Sequence, residues 1–166
     1  MAGRMVEAAY NYARVAEIAL RHGSLGAQSE VNAAISVELL LKSLSAAPVD
    51  NANAGTVAQQ YKVAKVGDGH DLLALYQAIP GEIRTQLRLD RHKRTFEEKR
   101  HVFKLNRYEC EPKAAQSFDD TLLQLVAELV PVFVRYFLDA GSDDPWLLIY
   151  QAEPARFELP NGISLS

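Results

Sequence analysis

The segment from Leu122 to Phe137 constrains the fold more than any other part of the chain, because its apolar side chains recur every three or four positions. This spacing places side chains on one face of an α-helix. Pro131 is expected to kink that helix or to interrupt its hydrogen bonds, and Gly141 is expected to end it. The predicted buried stripe consists of Leu122, Leu125, Val126, Leu129, Phe133, Tyr136 and Phe137.

Two further helices are predicted near the N-terminus. The first runs from about Gly3 to His22 and ends at Gly23, since glycine favours the left-handed conformation found at helix C-termini. The second runs from about Gln28 to Ala46 and is apolar around nearly its whole circumference, which is typical of the central helix of a bundle. The predicted buried stripe of the first helix is Met5, Ala8, Ala9, Tyr12, Val15, Ala16 and Ala19.

The middle of the chain contains a long loop and several shorter helices. The stretch from Pro48 to Gly69 is rich in helix-breaking residues, and we predict it to be a loop. A third helix begins near His70 or Asp71, where His70 packs and Asp71 caps the first turn. Further helical stretches are predicted from about Glu82 to Leu89 and from about Thr95 to Tyr108.

The end of the chain differs from the rest. Trp146 to Tyr150 is a short apolar run after a turn, and we interpret it as a strand-like arm. The predicted fold class is therefore an all-α, up-and-down bundle of about five helices over residues 1–141. A short extended C-terminal arm at residues 142–166 would pack on the bundle or on a partner.

The composition excludes several classes of protein. Cys110 is the only cysteine, so the chain forms no internal disulfide and no cysteine metal cluster. The N-terminal segment lacks the continuous apolar stretch of a signal peptide. The run from Leu122 to Leu138 contains Glu128, Pro131 and Arg135, which argues against a membrane span. We therefore expect a cytoplasmic protein without membrane contacts.

Three sequence motifs occur in an order that resembles the HEPN domain family. Val37 to Leu44 resembles its "ELxLKxxL" helix, and Gly69 to Leu72 resembles its "GHDL" motif. Phe103 with the Arg107-Tyr108 pair looks like the "F…RYxxE" segment that follows. Together with the N-terminal helix, the resemblance covers roughly Met5 to Glu111.

The resemblance implies an up-and-down helical bundle that is commonly a homodimer, and two types of function. Some HEPN members are metal-independent endoribonucleases of toxin or defence systems, and others are non-catalytic binding modules. The nuclease members use an arginine and a histidine separated by four to six residues, and here Arg94 and His101 are separated by six. On one helix, both side chains would lie on nearly the same face. His101 would then deprotonate a ribose 2′-hydroxyl, and Arg94 would hold the phosphate.

Positive charge is concentrated between Arg84 and Arg107, which we call the basic segment. It contains nine basic and three acidic residues, a net charge of +6, whereas the rest of the chain contains nine basic and eighteen acidic residues. Such a segment binds phosphates or an acidic protein surface, unless acidic neighbours within the chain neutralise it. The candidate binding residues are Arg84, Arg88, Arg91, Lys93, Arg100, Lys104, Arg107 and Tyr108.

These observations leave three functions open. The favoured one is a HEPN-like binding or regulatory module that contacts nucleotide, RNA or an acidic partner protein. The alternative is a metal-independent endoribonuclease that uses Arg94 and His101, which requires both side chains to be exposed and to converge. A third is a purely structural partner of another subunit, for which the C-terminal arm would matter most. No standard metal-ligand spacing and no phosphate-binding glycine loop is present, so no metal or cofactor is expected.

Overall fold

The computed structural model describes residues 3–48, 61–63, 67–106 and 118–159. The α-helices in these ranges are α1 (Gly3–Arg21), α2 (Gly26–Ser43), α3 (Leu72–Ala78), α4 (Gly81–Gln86), α5 (Lys93–Glu98), α6 (Val102–Asn106), α7 (Thr121–Asp139) and α8 (Pro145–Ala152). Short 3-10 helices follow α4 and α8, at Leu89–His92 and Pro154–Phe157. The prediction of an all-α bundle is thus confirmed.

The two short strands, β1 (Ala46–Pro48) and β2 (Tyr61–Val63), pair in antiparallel register, with Ala46 opposite Val63. They lie within or beside the stretch that the sequence predicts to be a loop.

The core forms where α1, α2 and α7 pack together. The stripe predicted on α7 is buried, with Leu122, Val126 and Leu129 fully inaccessible and Tyr136 partly buried. Pro131 lies inside α7 on an exposed position, and the helix continues through it. By composition, α7 is long and apolar enough to cross a membrane, but half of its most apolar window is buried within the structure, as in a core helix of a soluble protein.

The buried face of α1 is rotated from the predicted one. Tyr12 and Val15 were expected in the core, but they are 41% and 49% exposed, and Tyr10 and Ala13 are buried instead. The prediction failed because alanines occur on several faces of α1 and leave its apolar direction poorly defined. The small residues on the buried face allow α2 to approach closely enough for side-chain hydrogen bonds to the backbone of α1. Ser36 Oγ donates to the carbonyl of Ala9 at 2.6 Å.

The predicted extended arm is wrong, since Trp146 to Tyr150 lie in helix α8. Asp144 caps this helix by accepting hydrogen bonds from the backbone N–H groups of Trp146 at 3.0 Å and Leu147 at 3.4 Å. Pro145 occupies the first helical turn, where its missing N–H costs nothing. An apolar run of five residues is too short to show a helical period, so the Asp-Pro start was the only available signal.

Candidate anion-binding surface

The basic segment is divided among several short elements instead of forming one helix. The helix predicted from Thr95 to Tyr108 is interrupted, because α5 ends at Glu98 and α6 begins at Val102. Lys99 leaves the helical conformation, with φ −98° and ψ 10°. The premise that Arg94 and His101 share one helix face is therefore wrong.

The two candidate catalytic residues have different surroundings. The Arg94 side chain is 87% exposed, and its Nε donates to Glu98 Oε1 at 2.7 Å. This bond raises the pKa of Arg94 further above its usual value. His101 is exposed beyond the end of α5. Within the described ranges, no hydrogen bond or ion pair connects Arg94 with His101.

Acidic residues from elsewhere in the chain neutralise the C-terminal cations of the basic segment, Lys99, Arg100 and Lys104. Lys99 Nζ donates to Glu30 at 2.6 Å and to Asp119 at 2.7 Å. Burial by itself would lower the pKa of Lys99, but these two hydrogen bonds outweigh it and raise the pKa above its usual value. Lys104 pairs with Asp68. These cations are consequently engaged in holding the fold together.

Arg100 connects the start of α3 to the turn after α5. Its guanidinium donates to Asp71 Oδ2 at 2.5 Å, while Asp71 Oδ1 accepts from the backbone N–H of Ala74 at 3.1 Å. The backbone N–H of Leu72 also donates to the carbonyl of Arg100 at 3.2 Å. Burial would raise the pKa of Asp71, but the hydrogen bonds from Arg100 and Ala74 lower it below its usual value. The predicted role of Asp71 as a helix cap is confirmed.

The motif residues around His70 form a structural contact beside this cap. Glu38 Oε1 accepts from Lys42 Nζ at 2.5 Å, and Glu38 Oε2 lies 2.9 Å from His70 Nδ1. The His70 ring stacks on Phe103, with ring centroids 4.4 Å apart. Glu38 is buried, so its two oxygens need these partners. Glu38 and Lys42 of the first motif, His70 of the second and Phe103 of the third therefore meet at one junction between α2, α3 and α6.

The N-terminal cations of the basic segment, which are Arg84, Arg88, Arg91, Lys93 and Arg94, are more available. Lys93 and Arg94 form exposed pairs with the residue four positions later, and such pairs contribute little to stability. Two of them are exceptions: the Arg84 guanidinium lies over the Tyr76 ring at 5.0 Å, and Arg91 pairs with Glu128 of α7. In the described part of the chain, Arg88 has no ion-pair partner. The candidate binding residues Arg107 and Tyr108 lie outside the described residues.

An open cleft of about 540 Å³ lies between α7 and the segment from the end of α4 to Arg91. We call it the arginine cleft, because Arg88 and Arg91 line one side and Arg135 of α7 lines the other. Arg91 is held in place by Glu128, whose Oε2 lies 3.0 Å from the guanidinium, and by His92 Nε2 at 2.9 Å. Burial, followed by the charge of Arg91, lowers the pKa of His92 and favours the neutral imidazole.

Sequence reasoning did not identify Arg135 as a site residue, because it is 28 positions or more beyond the basic segment. A signal was nevertheless present in the sequence. Pro131, Arg135 and Asp139 are four residues apart and therefore share one face of α7. Polar residues and a proline on the same stripe of an otherwise apolar helix indicate the face that points away from the core.

Comparison of the chain with protein-family models, with curated proteins and with solved structures gave no match. The resemblance to HEPN domains therefore depends on the sequence motifs alone.

Proposed function

We propose that this chain is a HEPN-like, homodimeric binding module that contacts the phosphate groups of RNA through the N-terminal cations of its basic segment. The observation that carries the proposal is the unequal neutralisation of the segment. Lys99, Arg100 and Lys104 are bound to acidic residues of other elements, whereas Arg88, Lys93 and Arg94 are exposed and have at most a neighbouring partner. Exposed guanidinium and ammonium groups are the usual phosphate contacts of RNA-binding proteins.

The surroundings of Arg94 favour binding over cleavage. An endoribonuclease that uses Arg94 and His101 needs both side chains at one phosphate. Arg94 lies in α5, and the break after Glu98 separates this helix from His101. Cleavage would also require the histidine to be oriented toward the 2′-hydroxyl, usually by a hydrogen bond to its second ring nitrogen.

The test measures RNA affinity as a function of salt. Fluorescence anisotropy of a labelled single-stranded RNA is recorded for the wild type, for Lys93→Gln and for Arg156→Gln. The logarithm of the RNA association constant falls linearly with the logarithm of the salt concentration. For a single strand, each lost phosphate contact makes this line less steep by about 0.7. We expect this change for Lys93→Gln but not for Arg156→Gln, which removes an equal charge from the 3-10 helix after α8. Equal slopes for all three proteins would contradict the proposal.

A cleavage assay distinguishes the nuclease alternative. The wild type is incubated with RNA in EDTA and compared with Arg94→Ala and His101→Ala. We expect intact RNA in every case. Cleavage that both substitutions abolish would replace the binding module by a metal-independent endoribonuclease.

A further inference from the structure

The arginine cleft brings together cations that are far apart in the sequence. Arg88 and Arg91 follow α4, and Arg135 lies on α7. Asp139 is the acidic residue of the lining, and Glu128 and His92 stand beside Arg91. Neither Arg88 nor Arg135 has an ion pair among the described residues. Three guanidinium groups face two carboxylates, Asp139 in the lining and Glu128 on Arg91, so a net charge of +1 remains and favours an anion.

The backbone of Arg88 is the second observation. It adopts the left-handed conformation, with φ 55° and ψ 32°, and is the one non-glycine residue with a positive φ in the described part of the chain. It directly follows Leu87, the C-cap of α4, where glycine is usual because other residues are strained there. A residue held in a strained conformation at the rim of a cleft points to a role for its side chain.

The walls of the cleft limit the chemistry of the ligand. Leu87 is buried at its base, and Pro131, Val132 and Tyr136 form the side that belongs to α7. Guanidinium groups match phosphate oxygens in a bidentate fork. A volume of about 540 Å³ is larger than a phosphate needs and lies in the range of small-molecule sites. The apolar wall suits a planar or apolar group attached to that phosphate.

We infer that the arginine cleft binds a phosphomonoester joined to a planar or apolar group, with Arg88, Arg91 and Arg135 around the phosphate. The inference extends the proposed function, because the phosphomonoester is either the 5′ end of a bound RNA or a free nucleotide. Both sources present the same dianion to the three arginines, and the planar base faces Pro131 and Tyr136.

The first experiment uses AMP as the probe and measures binding by calorimetry. We expect the wild type to bind AMP, and Arg135→Gln to weaken binding about tenfold or more, as for other charged hydrogen bonds. Arg156→Gln is the matched control, since it removes one exposed positive charge outside the cleft. Absence of AMP binding, or equal affinity in both variants, would overturn the inference.

Arg88→Gly gives a result that a loss of folding cannot imitate. Glycine adopts the left-handed conformation without strain, and this relief exceeds the entropy that glycine adds to the unfolded chain. We therefore expect the melting temperature to rise by about 1–3 °C. AMP affinity should nevertheless fall about tenfold. A more stable protein with weaker binding supports a ligand role for Arg88, and a more stable protein with unchanged binding contradicts it.

A further experiment identifies the source of the phosphate and distinguishes the proposed RNA binding from the proposed phosphomonoester site. Anisotropy is measured with two 3′-labelled RNA dodecamers, one with a 5′-phosphate and one with a 5′-hydroxyl. Tighter binding of the phosphorylated RNA that Arg135→Gln abolishes supports the RNA terminus. AMP binding with no preference between the RNAs supports the free nucleotide. If AMP binding depends on Arg135 but no RNA binds, the arginine cleft is a phosphomonoester site and the proposed RNA-binding function is refuted.

Discussion

At the residue scale, Asp71 shows how one carboxylate stabilises two elements. It caps α3 through the Ala74 N–H and accepts from the Arg100 guanidinium, and its side chain is almost fully buried. A buried carboxylate requires partners for both oxygens, because its desolvation is otherwise not offset. Each oxygen here has one, so Asp71 is better explained by folding than by catalysis.

Replacement of Asp71 by Asn should reveal the contribution of its charge. Asparagine is a good helix cap, so the substitution removes the ion pair with Arg100 and leaves the cap. We expect unfolding at pH 7 to require about 1 kcal/mol less free energy. The pKa of Asp71 is lowered in the folded state, so this stabilisation is present above the usual pKa of 3.8 and disappears as the pH falls below it.

Chemical denaturation of both proteins between pH 2 and pH 7 is the measurement. The two stabilities should converge at the acidic end of this range. Asp143→Asn, in the exposed turn before α8, serves as a control and should unfold like the wild type. A constant difference between wild type and Asp71→Asn over the whole range would contradict the role of the charge.

At the element scale, α8 depends on its cap and on its contacts with α1. Eight residues are too few for a stable isolated helix. The ring centroid of Tyr10 in α1 lies 5.6 Å from that of Trp146 and 5.5 Å from that of Phe157. Tyr150 stacks on Phe157 at 5.1 Å. This aromatic cluster attaches the C-terminal helix to the bundle.

Removal of the cap should loosen this attachment. Asp144→Ala leaves the N–H groups of Trp146 and Leu147 without their acceptor, and we expect a loss of about 1 kcal/mol. Trp146 is the only tryptophan of the chain, so its fluorescence reports on the cluster directly. The emission of Asp144→Ala should shift to the red at lower denaturant concentration than that of the wild type. Asp143→Ala is the neighbouring control, and identical transitions for both variants would contradict the role of the cap.

At the scale of the whole molecule, charge and apolar surface occupy different parts. Arg88, Arg91 and Arg135 line the arginine cleft, while α1 exposes Tyr12, Val15 and Ile18. These three side chains are spaced by three residues and form one stripe along α1. A stripe of this kind can pack against its own copy about a two-fold axis, which is the usual symmetry of homodimers.

The proposed homodimer therefore predicts the effect of charges on α1. We expect light scattering to give twice the chain mass of 18.4 kDa for the wild type. Val15→Glu combined with Ile18→Glu should give the mass of one chain, since both positions are about half exposed and tolerate the change within a folded monomer. Leu148→Glu, at an exposed apolar position on α8, is the control. A dimeric double variant would exclude this face as the interface.

The sequence by itself determined the features that depend on neighbouring residues. The period of α7 and the cap at Asp71 both involve positions within about four residues of each other. Gly23, with φ 61°, ends α1 as predicted from its freedom to adopt positive φ. Such interactions form within one or two helical turns, so their spacing is visible in the sequence.

Only the tertiary structure decided which cations are available and which are neutralised. Lys99 meets Glu30, which is 69 positions away in the chain, and Arg135 joins Arg88 at a cleft between separate elements. The rotation of α1 and the break between α5 and α6 likewise follow from how the helices pack. These outcomes depend on contacts between distant segments, and the spacing of residues along one helix carries no information about the partner against which that helix is placed.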